Sequence, residues 1–97
     1  MARKQQFLNA VFSERWEESY AKLQIQQQNG TDKVVMAILK GMPTPGMRVN
    51  PIEPSKYYSE ARCTDADRVV HRIEDGVVYF VDIVPHDHIN KYARGPG

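Results

Sequence analysis

The chain has 97 residues, 41% hydrophobic and 26% charged, with a formal net charge of +1. This composition fits one folded domain over 1–97 and excludes a disordered chain, while the near-neutral balance excludes a bulk basic field announcing a nucleic-acid partner. The longest apolar run, "VVMAIL" at 34–39, is too short for a membrane span, and the basic start "MARKQQFLNAVF" lacks the apolar stretch of a signal peptide. A single cysteine, Cys63, excludes an internal disulfide and fits a reducing cytoplasm, where the protein is expected, with no membrane partner. Residues 1–47 carry six basic against four acidic residues and 48–97 seven against eight, so any anion site must be a local cluster.

In chain order, "QFLNAV" (6–11) reads as a short first strand. Ser13 is placed to cap a helix, with Glu14, Glu17 and Glu18 in its first turns, where they complement the helix dipole. Phe12, Trp16, Tyr20 and Leu23 recur at helical spacing, which predicts one apolar stripe running to about Gln27, with Asn29-Gly30 as the stop and "QIQQQNG" as a polar turn. Thr31 or Asp32 then caps a second helix whose apolar face is Val34, Val35, Ile38 and Leu39, ended by Gly41. The stretch 42–55, with four prolines and a glycine, reads as an irregular connector.

From Lys56 the period becomes that of strands: 57–64, 67–74 and 77–84, with Asp75-Gly76 a strong two-residue hairpin signal between the last two. The expected architecture is α+β, a helical hairpin packed on a small antiparallel sheet in the order β-α-α-β-β-β. Alternation sets Val69, His71 and Ile73 against the helices and Arg68, Val70 and Arg72 on the second face; on the preceding strand it puts Tyr58, Glu60 and Arg62 on one side and Tyr57, Ser59, Ala61 and Cys63 on the other. If Arg62, Arg68 and Arg72 converge, their planar forks suit phosphate; the alternative is a solvated face neutralised by Glu60, Asp67, Glu74 and Asp82. Asp82, in an otherwise apolar strand, is expected to pair with an arginine of a neighbouring strand, and His71 to be a core histidine satisfied by a hydrogen bond.

Three readings compete for His86-Asp87-His88. His-x-His can ligate zinc with His71 or Asp87 as a third ligand. Asp87 can instead cap a final helix from about Ile89. Or the histidines do acid–base chemistry, with Asp87 orienting one ring and Lys91 and Tyr92 on the next turn.

The run from Arg62 through "DAD", "RVVHRI", "EDG" and "VVYFVDIV" to "HDHINKY" resembles the recurrent core of the RelE/ParE superfamily of bacterial type II toxins. The resemblance extends over about 6–94 and is clearest at 57–88. It implies a ribonuclease that cuts messenger RNA in the ribosomal A site, with no metal or other cofactor, held in check by a cognate antitoxin. It also implies roles: Arg62 and Arg68 hold the phosphate, His86 or His88 is base or acid, Asp87 orients one of them, and Tyr92 stacks on a base or shares the proton work. Arg48, Lys56, Arg72 and Lys91 then serve as RNA-binding residues. This chain departs from the pattern in its near-neutral charge, in His71 at an often aromatic position, and in offering only Lys56 where some members are lysine-rich. A non-catalytic binder of the same fold, directed at gyrase or regulatory, is the competing function.

Overall fold

The computed structural model describes residues 7–96. Strand β1 (Asn9–Phe12) leads into α1 (Glu14–Ala21) and α2 (Ile25–Leu39). A 3-10 turn (Pro45–Met47) and the two-residue β2 (Asn50–Pro51) lie within the connector. Then come β3 (Ser59–Arg62), β4 (Asp67–Glu74), β5 (Val77–Pro85) and a closing 3-10 helix (His86–Tyr92). The sheet order is β1-β5-β4-β3-β2. The β3–β4–β5 meander is antiparallel as expected; the connector adds the antiparallel edge strand β2, which was not expected, and β1 lies parallel to β5, so the sheet is mixed. The two helices pack on one face of the sheet, α1 against β5 and α2 against β4. The first strand begins later than predicted, and Gln6 lies outside the described residues.

Ser13 caps α1 as read: its Oγ accepts from Trp16 N at 3.0 Å and also donates to the Val81 carbonyl at 2.6 Å, fixing the helix start to β5. The break between the helices falls at 22–24 and not at Asn29-Gly30. Leu23 N and Lys22 N already bond back to Tyr20 and Ser19, tightening the last turn. Gln27 Oε1 then accepts from Gln24 N at 2.9 Å, so the glutamines begin α2 where a polar turn was expected. Gly30 sits inside α2 because a Cβ there would lie 2.4 Å from the Cys63 carbonyl oxygen. The glycine permits close approach of helix to sheet; it does not end the helix. At the β4–β5 hairpin, Asp75 (φ 52°) and Gly76 (φ 76°) both take the left-handed conformation that the Asp-Gly signal foretold.

The helix-backed face holds Trp16, Val34, Ile38, Ala61, Val69, Val78, Phe80 and Ile83. Phe12, Trp16 and Phe80 form a ring cluster with centroids 5.0–5.5 Å apart. His71 lies on this face, 2% exposed. Contrary to the expectation of a satisfied ring, its Nδ1 has no hydrogen-bond partner among the described residues. Burial pushes its pKa down to about 4, against an opposing pull from the Val69 backbone, so the ring is neutral near pH 7. Ile73, at the far end of β4, is 52% exposed, beyond the cover of the helices.

The last strand does not alternate evenly. Val70 pairs with Asp82 and His71 with Phe80, which leaves Val81 without a partner on β4. This bulge reverses the phase, so Phe80 and Ile83 both face the helices while Asp82 and Val84 face the other way. On that second face Val70, Val84 and Ile52 are covered by Tyr58, Ile89, Tyr92 and Ala93, so the final segment lies across half of the sheet.

Candidate active site at the end of the last strand

Asp82 is 1% exposed. Its carboxylate accepts hydrogen bonds from Ser19 Oγ (2.6 Å), its neighbour's Ile83 N (2.8 Å) and the Tyr92 hydroxyl, and Lys91 Nζ stands 3.9 Å away. The arginine partner expected from the sequence is therefore replaced by two hydroxyls and a lysine. Through this carboxylate, α1, β5 and the closing 3-10 helix are tied at one point. Tyr92 also packs edge-on against Tyr58, centroids 5.5 Å apart. Its phenol is pushed well above its ordinary pKa by burial first and by the Asp82 hydrogen bond and charge second. The hydroxyl is engaged, which favours a positioning role over proton transfer.

The strand ends at Pro85, and His86 N donates to the Ala66 carbonyl at 2.7 Å, which seats the histidine beside the β3–β4 turn. The 3-10 helix starts at His86 with Pro85 at its cap, so Asp87 does not cap a helix as one reading had it. Side chains of His86, Asp87, Arg68 and Asp65 surround a hollow of about 280 Å³. Within it His86 Nδ1 is 3.6 Å from Asp87 Oδ1, close enough for the carboxylate to attract a protonated ring. His88 is exposed on the same 3-10 helix and does not line this hollow.

Arg62 and Arg68 stand opposite each other in the β3–β4 register. Arg68 Nη1 donates to the carbonyls of Thr64 (3.2 Å), Asp65 (3.3 Å) and Asp67 (3.0 Å), and its Nε is 3.7 Å from Glu60. Its Nη2 makes no hydrogen bond among the described residues. Arg62 donates to Asp65, a turn residue that sequence reasoning passed over although it lies three positions on. Arg72, farther along β4, pairs with Glu74 at 3.3 Å. Each of the three guanidiniums carries its own carboxylate, and the three residues border separate hollows, Arg62 the groove along α2, Arg68 the one at His86 and Arg72 the one at Tyr79. Such pairs are worth about 0–1 kcal/mol where exposed; Arg62–Asp65 and Arg72–Glu74 are the more open two, and Arg68–Glu60 is the most shielded.

The expected RNA-binding residues are more scattered. Arg48 is exposed behind the 3-10 turn, and Lys56 pairs with Glu53 at 3.7 Å. Lys91 is held at Asp82. For the metal reading, His71 is buried on the opposite face and is no third ligand. Among the described residues no three His, Cys, Asp or Glu side chains gather to hold an ion. Nor is any helix among them long and apolar enough to cross a membrane.

No family model and no curated protein matches the chain in sequence. Solved structures do match in fold. A copper-bound mutant toxin from Helicobacter pylori superposes with TM-score 0.73 at 14% identity, covering 82% of this chain and 96% of that one. Escherichia coli YafQ gives 0.72 at 12% identity, covering 82% and 94%. The RelBE2 toxin–antitoxin complex of Mycobacterium tuberculosis gives 0.65 at 16%, covering 82% and 99%. The fold is that of RelE-like toxins, as the sequence resemblance implied.

Proposed function

We propose that this chain is the toxin of a type II toxin–antitoxin pair and cleaves messenger RNA on the ribosome using side chains alone. The observation that carries the reading is the hollow lined by both His86 and Arg68, at the end of a strand whose His86 N is bonded to the Ala66 carbonyl. His86 takes the proton of the ribose 2′-hydroxyl, and that oxygen attacks the adjacent phosphate. The phosphorus–5′-oxygen bond breaks, and the leaving oxygen is protonated by an acid, for which His88 is the nearest candidate in sequence. A 2′,3′-cyclic phosphate and a free 5′-hydroxyl result. Arg68 and Arg62 stabilise the added negative charge, with Asp65 giving up Arg62 to the phosphate. Asp87 orients His86, and Tyr92, clamped on Asp82, holds the segment in place.

The RelBE2 and DinJ–YafQ structures are toxin–antitoxin complexes, which supports a cognate antitoxin here. A groove of about 850 Å³ along α2, bordered by Met36, Met42, Met47, Lys33 and Lys40, suits an amphipathic helix with acidic residues. The carboxylate on each arginine favours the second reading, a non-cleaving binder of the same fold. Mapping the 5′ ends of cellular messages within minutes of induction separates the two. New ends at fixed codon positions, absent in a His86→Ala/His88→Ala variant, are expected. Growth arrest without new ends establishes the binder.

A further inference from the structure

Two groups of the proposed site hang on one turn. Between β3 and β4 the carbonyls of Thr64, Asp65 and Asp67 accept from Arg68 Nη1 at 3.2, 3.3 and 3.0 Å. The Ala66 carbonyl accepts from His86 N at 2.7 Å. The path of residues 64–67 therefore decides where both side chains sit. Among the described residues, the other polar partners are Glu60 for the Arg68 guanidinium, at 3.7 Å, and Asp87 for the His86 ring, at 3.6 Å. Within the turn, Thr64 Oγ1 donates to Asp67 Oδ2 at 2.7 Å and accepts from Asp67 N at 3.0 Å. Asp67 is 8% exposed, and a carboxylate so buried needs further donors. One comes from α2: Gln27 Nε2 donates to the same Oδ2 at 3.0 Å. The oxygen of that amide is engaged too, since Gln27 Oε1 accepts from Gln24 N at the helix start. Glutamine suits both tasks, being uncharged and carrying a donor and an acceptor. A glutamate would set a second carboxylate on Asp67, and an apolar residue would leave Oδ2 one donor short. One turn farther along α2, a side chain at Gly30 would strike the Cys63 carbonyl, so the helix lies against the start of the same turn.

We infer that Gln27 is a positioning residue for the RNA cleavage proposed above, a role that rests on that reading. Gln27 does not line the hollow of His86 and Arg68, so it acts through Asp67 and Thr64. Those two side chains fix the carbonyls of 64–67, and the carbonyls fix the Arg68 fork and the first residue after β5. A displacement of about 1 Å at reacting groups costs up to about a hundredfold in rate, which makes the hold on this turn a matter of activity as well as stability.

The test uses the full chain and ribosomes programmed with a defined message, and follows the appearance of new 5′ ends below the unfolding midpoint of every variant. Gln27→Met removes both amide bonds at similar length. Gln27→Lys restores a donor for Asp67 but no acceptor for Gln24 N. Gln27→Met is expected to slow cleavage at saturating protein about 10- to 100-fold, with the half-saturating concentration unchanged within about twofold. Gln27→Lys keeps the saturated rate within about threefold of the wild type. Amide exchange at His86, faster in Gln27→Met and not in Gln27→Lys, reports the turn directly. A wild-type rate in Gln27→Met overturns the inference. Equal losses in the two variants trace the effect to the start of α2 and overturn it as well. A wild type that makes no cut overturns the ribonuclease reading and this role with it, a result distinct from a cutting wild type matched by Gln27→Met.

Discussion

The two faces of the sheet are built by different means. The helix-backed side is dense with apolar rings, and among the described residues two buried polar atoms, Thr31 Oγ1 on α2 and His71 Nδ1 on β4, have no hydrogen-bond partner. The second face is covered by a short final segment and held by a polar knot around Asp82. The first kind of construction supplies stability. The second fixes direction: it determines where the residues just after Pro85 point. A protein of this size can bury only one substantial core, so the second face is secured by a few directional bonds instead.

Substitutions on each face test that division. Phe80→Ala, at the centre of the ring cluster, is expected to cost about 3–5 kcal/mol of global stability, seen as a large drop in the urea midpoint. A smaller effect depends on pH. Folded His71 titrates near 4 while an unfolded histidine titrates near 6.5. Below 6.5 the unfolded chain takes up a proton that the folded chain refuses, so stability falls from about pH 6.5 towards 4. Between pH 7 and 4.5 the wild type should lose about 2–3 kcal/mol more than His71→Phe does, by denaturant titration at the two pH values. The smallest effect belongs to the second face. Tyr92→Phe should cost about 1–2 kcal/mol, yet speed amide exchange selectively over residues 86–93. A uniform rise in exchange across the sheet would show that the knot is part of the common core and erase the distinction.

Much of this was legible in the chain itself. The Ser13 cap, the Asp75-Gly76 hairpin and the pairing of the two long strands across it all follow from local rules, and the structure has them. What was misread depends on contacts distant in sequence. Asn29-Gly30 looks like a helix stop until Cys63, from β3's far side, is seen pressing on the glycine. Asp82 looks like half of an ion pair until Ser19 and Tyr92, from opposite ends of the chain, arrive at it. The bulge at Val81 leaves no mark in an apolar, β-branched run, so strict alternation assigned Phe80 and Asp82 to one face. At the candidate site, the neighbourhood of Arg68 and His86 followed from resemblance. Asp65 went unnoticed because a turn aspartate has a sufficient local explanation.

The carboxylates that accompany Arg62, Arg68 and Arg72 have a consequence for how the surface responds to ions. On a bare basic groove, each captured phosphate sets free a condensed cation, and affinity collapses as salt rises. Here any anion reaching Arg62 would have to take the place of an aspartate already present, one anion succeeding another. Attraction at long range is weak, so stray polyanions have little reason to gather, and recognition is left to whatever fits at contact.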